Sequence, residues 1–111
     1  MPIKDIDEKV IKVLDDLAEI IGKNMDVVED GDKIKVIALD IIETKFGNFM
    51  WAALIHKKGD FMRIQLLDVD GNTLFEEPLN DYLTLEKREL EDKIDSIVEK
   101  MLVKAKEQLK G

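Results

Sequence analysis

Apolar residues recur at three- and four-residue spacing in the first part of the chain, the period of a helix with one buried face. They are Ile6, Val10, Val13, Leu14, Leu17, Ile20 and Ile21. Asp5 or Asp7 is suited to cap the start of this helix, and Gly22 is suited to stop it. The pattern predicts an amphipathic helix over about residues 5–22.

A second helical pattern occupies the last part of the sequence. Its apolar stripe comprises Leu90, Ile94, Ile97, Val98, Met101, Leu102, Ala105 and Leu109. A strict heptad from Leu90 meets Lys104 and Gln108, so a coiled coil is disfavoured. The pattern predicts a long helix laid on a core, with Thr84 as a suitable cap.

The segment between the two helices has the pattern of consecutive β-hairpins. Gly47, Gly59 and Gly71 are twelve residues apart, and each follows a run rich in apolar and β-branched residues, which is a turn rhythm typical of hairpins. Three-residue loops are predicted to end at Gly47 and Gly59, and Pro78 is predicted to end the last strand. The strand-like runs cover 27–28, 34–42, 49–56, 61–67 and 73–75.

These elements predict a single α+β domain over residues 1–111. Consecutive hairpins give an antiparallel β-meander of four or five strands, in the order α-β-β-β-β-β-α. Two amphipathic helices must both bury an apolar stripe, and the economical arrangement packs both on one face of the sheet.

The other face of this sheet is the first candidate for function. Run 61–67 alternates cleanly, so Met62, Ile64 and Leu66 are expected to face the helices, whereas runs 34–42 and 49–56 are apolar on both sides. Strands of that kind usually have both faces covered. Either they are central strands with some exposed apolar atoms, or the second face binds a protein, most simply a second copy. The candidate interaction residues are Leu39, Ile41, Trp51, Leu54, Phe61 and Arg63, although the pattern does not decide which face carries Trp51.

Composition narrows the possible partners. The chain has 17 basic and 25 acidic side chains, a net charge of -8, so we expect binding neither to nucleic acid nor to anionic membranes. No apolar run approaches the roughly 20 residues of a membrane span, and the acidic first residues do not resemble a targeting signal. With no Cys in the sequence, a cytoplasmic protein without disulfides is expected.

Few side chains are suited to catalysis or metal binding. His56 and Ser96 are the only residues of their types, and zinc normally takes several His, Cys or carboxylate ligands. The segment Asp68–Asn72 resembles the start of a calcium loop, but Thr73 and Leu79 occupy the positions that need Gly and Glu. A hairpin turn is therefore favoured there. We predict no cofactor, no metal site and no catalytic site.

The leading hypothesis is a non-enzymatic interaction module that forms a homodimer through its sheet. The alternative is a small-ligand-binding domain with a pocket between sheet and helices, near Trp51, Phe61 and Met62. Two further hypotheses stay open. An enzyme would depend on carboxylates such as Asp40, which interrupts an apolar run, and the acidic first helix would suit a nucleic-acid mimic.

Overall fold

The computed structural model describes residues 6–80 and 82–110, the last two by their backbone alone. The five strands form an antiparallel sheet in the order β1-β2-β3-β4-β5, which confirms the predicted α+β meander. The elements are α1 (Glu8–Ile21), β1 (Met25–Asp30), β2 (Lys33–Thr44), β3 (Gly47–His56), β4 (Met62–Asp68), β5 (Thr73–Pro78), a short 3-10 helix (Tyr82–Thr84) and α2 (Lys87–Lys110).

Both helices pack on the same face of the sheet, as the pattern of apolar residues predicts. Met62, Ile64 and Leu66 of β4 face the helices and are almost fully buried. The core also includes Val10, Val13 and Leu17 of α1, Leu90, Ile94 and Met101 of α2, and Ile34, Val36, Ala53 and Ile55 of β2 and β3. Leu109, predicted to continue the stripe of α2, lies outside the residues whose side chains are described.

Local contacts set the two ends of α1. Asp7 caps α1, because its carboxylate accepts a hydrogen bond of 2.8 Å from the backbone N–H of Lys9, whereas Asp5 lies outside the described residues. Gly22 ends the helix at φ 81°, a backbone conformation that favours glycine. The start of α2 differs from prediction: Thr84 closes the short 3-10 helix, and α2 begins at Lys87.

Two hairpin loops differ in length from the predicted three residues. Thr44 pairs directly with Gly47, so that loop holds only Lys45 and Phe46. The Thr44 hydroxyl stabilises it by accepting from the N–H of Phe46 at 3.1 Å and donating to the carbonyl of Gly47 at 2.7 Å. The loop after β3 spans residues 57–61. At the start of this loop the chain contacts the β1–β2 turn, where Lys57 N donates to Asp32 O at 2.8 Å.

Tyr82 anchors the loop before β4. Its hydroxyl donates a hydrogen bond of 2.7 Å to the carbonyl oxygen of Phe61, and the residue is only 3% exposed. Burial disfavours the phenolate, and the carboxylates of Asp60 and Asp7 add repulsion, which together raise the pKa of Tyr82 to about 12. The phenol therefore keeps its proton in the folded chain at pH values where an exposed tyrosine loses it.

This raised pKa predicts an alkaline loss of stability. The folded state holds the phenol proton more tightly than the unfolded state, so the contribution is complete below about pH 10 and is lost as the pH rises to about 12. Two pKa units correspond to at most about 2.7 kcal/mol of unfolding free energy. Urea unfolding across this range should show the decline, and Tyr82→Phe should remove that part of it. Tyr82 is the only tyrosine, so phenolate absorbance reports its titration directly, and a midpoint near pH 10 would contradict the prediction.

Candidate functional site: the uncovered face of the sheet

The side of the sheet that faces away from the helices is called the uncovered face. Strand residues alternate between the two sides of the sheet. Residues that pair with one another across neighbouring strands, here called a cross-strand row, lie on the same side. The uncovered face therefore carries Val28, Lys35, Ile37, Met50, Ala52, Leu54, Arg63, Gln65, Leu67 and Glu76. These residues are outside the helix-side core cluster.

The centre of the uncovered face is apolar and well packed. Ala52 and Leu67 are fully buried there, although no helix covers them. Ile37, Met50 and Leu54 are half-buried beside them. Because these apolar groups are contiguous on a side of the sheet that no helix covers, this face is a candidate interaction surface.

A bulge in β2 extends this apolar surface. The register shifts between Ala38 and Ile42, so that Leu39, Asp40 and Ile41 lie opposite Met50 alone. Leu39 is 49% exposed and Ile41 is 54% exposed. The bulge is fixed by Asn24, whose carbonyl accepts from Leu39 N at 2.8 Å and whose side-chain amide donates to Asp40 at 2.7 Å. Bulges re-aim side chains, and this one leaves two aliphatic groups in solvent.

A polar cluster borders the apolar centre on the β5 side. The Glu76 carboxylate accepts a hydrogen bond of 2.8 Å from Arg63 and one of 2.7 Å from the Nε2 of Gln65. Gln65 is 6% exposed, and its Oε1 has no hydrogen-bond partner among the described residues. A buried acceptor without a donor costs on the order of 1–3 kcal/mol.

The six predicted interaction residues do not form one surface. Leu54 and Arg63 are cross-strand neighbours on the uncovered face, and Leu39 and Ile41 lie in the bulge. Trp51 is on the opposite side, partly buried against the helix-side core. The remaining residue, Phe61, precedes β4, with its ring centroid 5.6 Å from that of His56. Sequence reasoning left Gln65 out of the set, although a lone amide between Ile64 and Leu66 was the available signal.

The segment that resembles the start of a calcium loop forms a turn. Asp68 closes the β4–β5 turn: its carboxylate accepts from the N–H groups of Asp70 and Asn72 and from the Asn72 side chain. Those hydrogen bonds, above all the side-chain one from Asn72, lower the pKa of Asp68. Residues 68–72 are therefore a hairpin turn. Among the described residues, no cluster of three or more His or carboxylate side chains could hold a metal ion.

The carboxylates of Glu76 and Glu77, at the end of β5, lie on opposite sides of the sheet, as strand alternation predicts. Glu76 belongs to the uncovered face, whereas Glu77 accepts from Lys104 of α2 at 2.9 Å. The hydrogen bond from Lys104 and the charge of Lys100 lower the pKa of Glu77. These two carboxylates therefore do not form an acid–base pair.

Two concavities lie near the helix-covered half of the molecule. One, of about 440 Å³, is at the predicted position beside Phe61 and Met62, but its other walls include Asp60, Arg63 and Asn80, and Trp51 is not among them. The second, of about 280 Å³, lies elsewhere, between the β2–β3 turn and α2. The second cavity has mainly apolar walls, which is the character of small-molecule sites.

No family model matches the chain, and neither the curated proteins nor the solved structures include a match to it. Across the described residues, neither helix combines the length and the apolar character that crossing a bilayer requires.

Proposed function

We propose that this chain is an interaction module that forms a symmetric homodimer through the uncovered face. The observation that carries the proposal is the packed apolar centre of that face, continued into solvent by the bulge residues Leu39 and Ile41. Pairing two such faces would make a sheet-on-sheet core of the kind found in β-sandwiches. Burial of apolar surface is the main driving force of such association.

The dimensions of the face support a weak dimer. Five strands at about 4.8 Å spacing and about six residues at about 3.3 Å per residue give a patch of roughly 500 Å². Two copies would bury about 1,000 Å², which is near the lower limit for a specific interface. A dissociation constant on the order of micromolar is therefore expected rather than permanent association.

The arrangement of charges on the face is self-complementary. The cross-strand row through Leu54 contains two cations, Lys35 and Arg63. The adjacent row has an acid at each end, Asp26 and Glu76. A two-fold axis that runs across the strands between these rows would place Arg63 of one copy opposite Gln65 of the other. Arg63 of one copy would then also lie one strand away from Glu76 of the other. The rows are Val28–Lys35–Leu54–Arg63–Pro78 and Asp26–Ile37–Ala52–Gln65–Glu76.

The solution mass across a dilution series tests the proposal. Sedimentation equilibrium or light scattering, from about 1 μM to about 1 mM, covers the expected affinity range. The weight-average mass should rise from 12.7 kDa for the monomer toward twice that value and stop there, since a two-fold contact closes. A monomer at every concentration would overturn the proposal, and so would continued growth beyond the dimer.

A further inference from the structure

The cavity between the β2–β3 turn and α2 is independent of the uncovered face. Its apolar walls are formed by Phe46, Phe49, Leu102 and Val103, so it gathers two of the four phenylalanines of the chain. At about 280 Å³ it is close to the smallest ligand pockets, which start near 300 Å³. Such a space fits a single alkyl chain better than a folded partner.

The polar residues of this cavity favour an anion. Lys45 and Lys106 line it and are exposed, against the single carboxylate of Glu99. Neither ammonium group makes an ion pair with a described residue. The Nζ of Lys106 instead lies 5.6 Å from the centroid of the Phe46 ring. The aliphatic stems of the two lysines extend the apolar surface while their charged ends reach solvent.

We infer that this cavity binds a single-chain alkyl carboxylate, with the hydrocarbon between Phe46, Phe49 and Leu102 and the carboxylate beside Lys45 and Lys106. The ammonium groups would give the head group charge-assisted hydrogen bonds. The chain as a whole carries a charge of -8, so general electrostatic attraction cannot hold an anion here, and the local lysines must do so. The head group is therefore expected to decide which amphiphile binds.

Decanoate, used below its micelle concentration, is the probe. Amide chemical shifts of the labelled full chain should move saturably with one equivalent, and the changes should concentrate at Phe46, Phe49, Leu102 and Val103. Decyltrimethylammonium has the same tail and the opposite head charge, so it should bind at least about tenfold more weakly. Equal binding of the two amphiphiles would overturn the inference, and so would shifts spread over the whole surface.

Two variants test the head-group and tail contacts separately. The double variant Lys45→Glu/Lys106→Glu should weaken decanoate binding by about tenfold or more, whereas Lys93→Glu, an exposed lysine on the same helix, should not. Val103→Trp should fill the cavity and weaken decanoate binding regardless of head-group charge. Far-ultraviolet circular dichroism verifies folding of each variant. Undiminished decanoate binding by the folded Lys45→Glu/Lys106→Glu or Val103→Trp variant would overturn the inference. The variants lie off the uncovered face, so their dimer mass should stay unchanged.

Discussion

Replacing Leu54 by Asp is expected to hold the chain in the monomeric state. Leu54 is at the centre of the uncovered face, and its cross-strand neighbours in the register are Lys35 and Arg63. In the monomer those cations would stabilise the introduced carboxylate, so folding should persist. In the dimer the carboxylate and its neighbouring cations would lose water against apolar groups of the other copy, and desolvation of charged groups costs several kcal/mol. The dissociation constant should rise at least about hundredfold, which dilution-series sedimentation measures.

Leu74→Asp is the matched control for this substitution. Leu74 is 41% exposed on β5 and borders a shallow depression with Phe75 and Ala105 on the helix side. The same chemical change there should leave the dimer mass unaltered. If Leu54→Asp keeps the wild-type dimer mass while remaining folded, the dimer forms through another surface. If both variants dissociate equally, the effect is one of net charge and the uncovered face is not the interface.

Ile64→Ala is expected to cost about 2–5 kcal/mol of unfolding free energy. Ile64 is fully buried in β4 on the helix side, paired with Ala53 and within the core cluster shared with both helices. Its small neighbour limits how far the site can collapse, so a cavity is expected to remain. Because globular domains are stable by only about 5–15 kcal/mol, this loss is a large fraction of the total. Urea unfolding followed by circular dichroism measures it.

Leu74→Ala is the control for that experiment, since Leu74 is 41% exposed and lies outside the core cluster, and it should cost no more than about 1 kcal/mol. The comparison should be made with the chain dilute enough to be monomeric, so that dimer formation does not contribute to the measured stability. A cost for Ile64→Ala no greater than for the control would mean that β4 does not present this residue to the helices.

The order of elements was predictable from the sequence because each signal was local. Alternation in residues 61–67 placed Met62, Ile64 and Leu66 on the core side, and helical spacing placed Val10 and Leu90 there. The loop lengths were harder to predict from the sequence. The Thr44 hydroxyl bonds Phe46 and Gly47 within its own loop, whereas the bond from Lys57 to Asp32 joins two separate turns and depends on the assembled sheet.

The candidate site was predictable only in outline. Apolar residues on both sides of β2 and β3 indicated a second apolar face, but the side of Trp51 depends on the register that pairs it with Ala38 and Leu66. The pattern also could not show that Gln65 would be buried with an unpaired oxygen, since its surroundings come from β5 as well as β4. The cavity beside α2 joins Phe46 to Leu102, two residues far apart in the sequence.

The meander order also sets which parts of the fold can form first during synthesis. Every strand pairs with its neighbour in sequence, so hairpins need only short loop closures and the sheet is complete once Pro78 has been made. The residues of α2 follow later. Until they are synthesised, Ile64 and Leu66 are covered by α1 alone, and the nascent sheet presents apolar surface on both sides. Nascent chains are therefore expected to expose an apolar sheet face until α2 packs on it, and contact between such faces of different chains would compete with that packing.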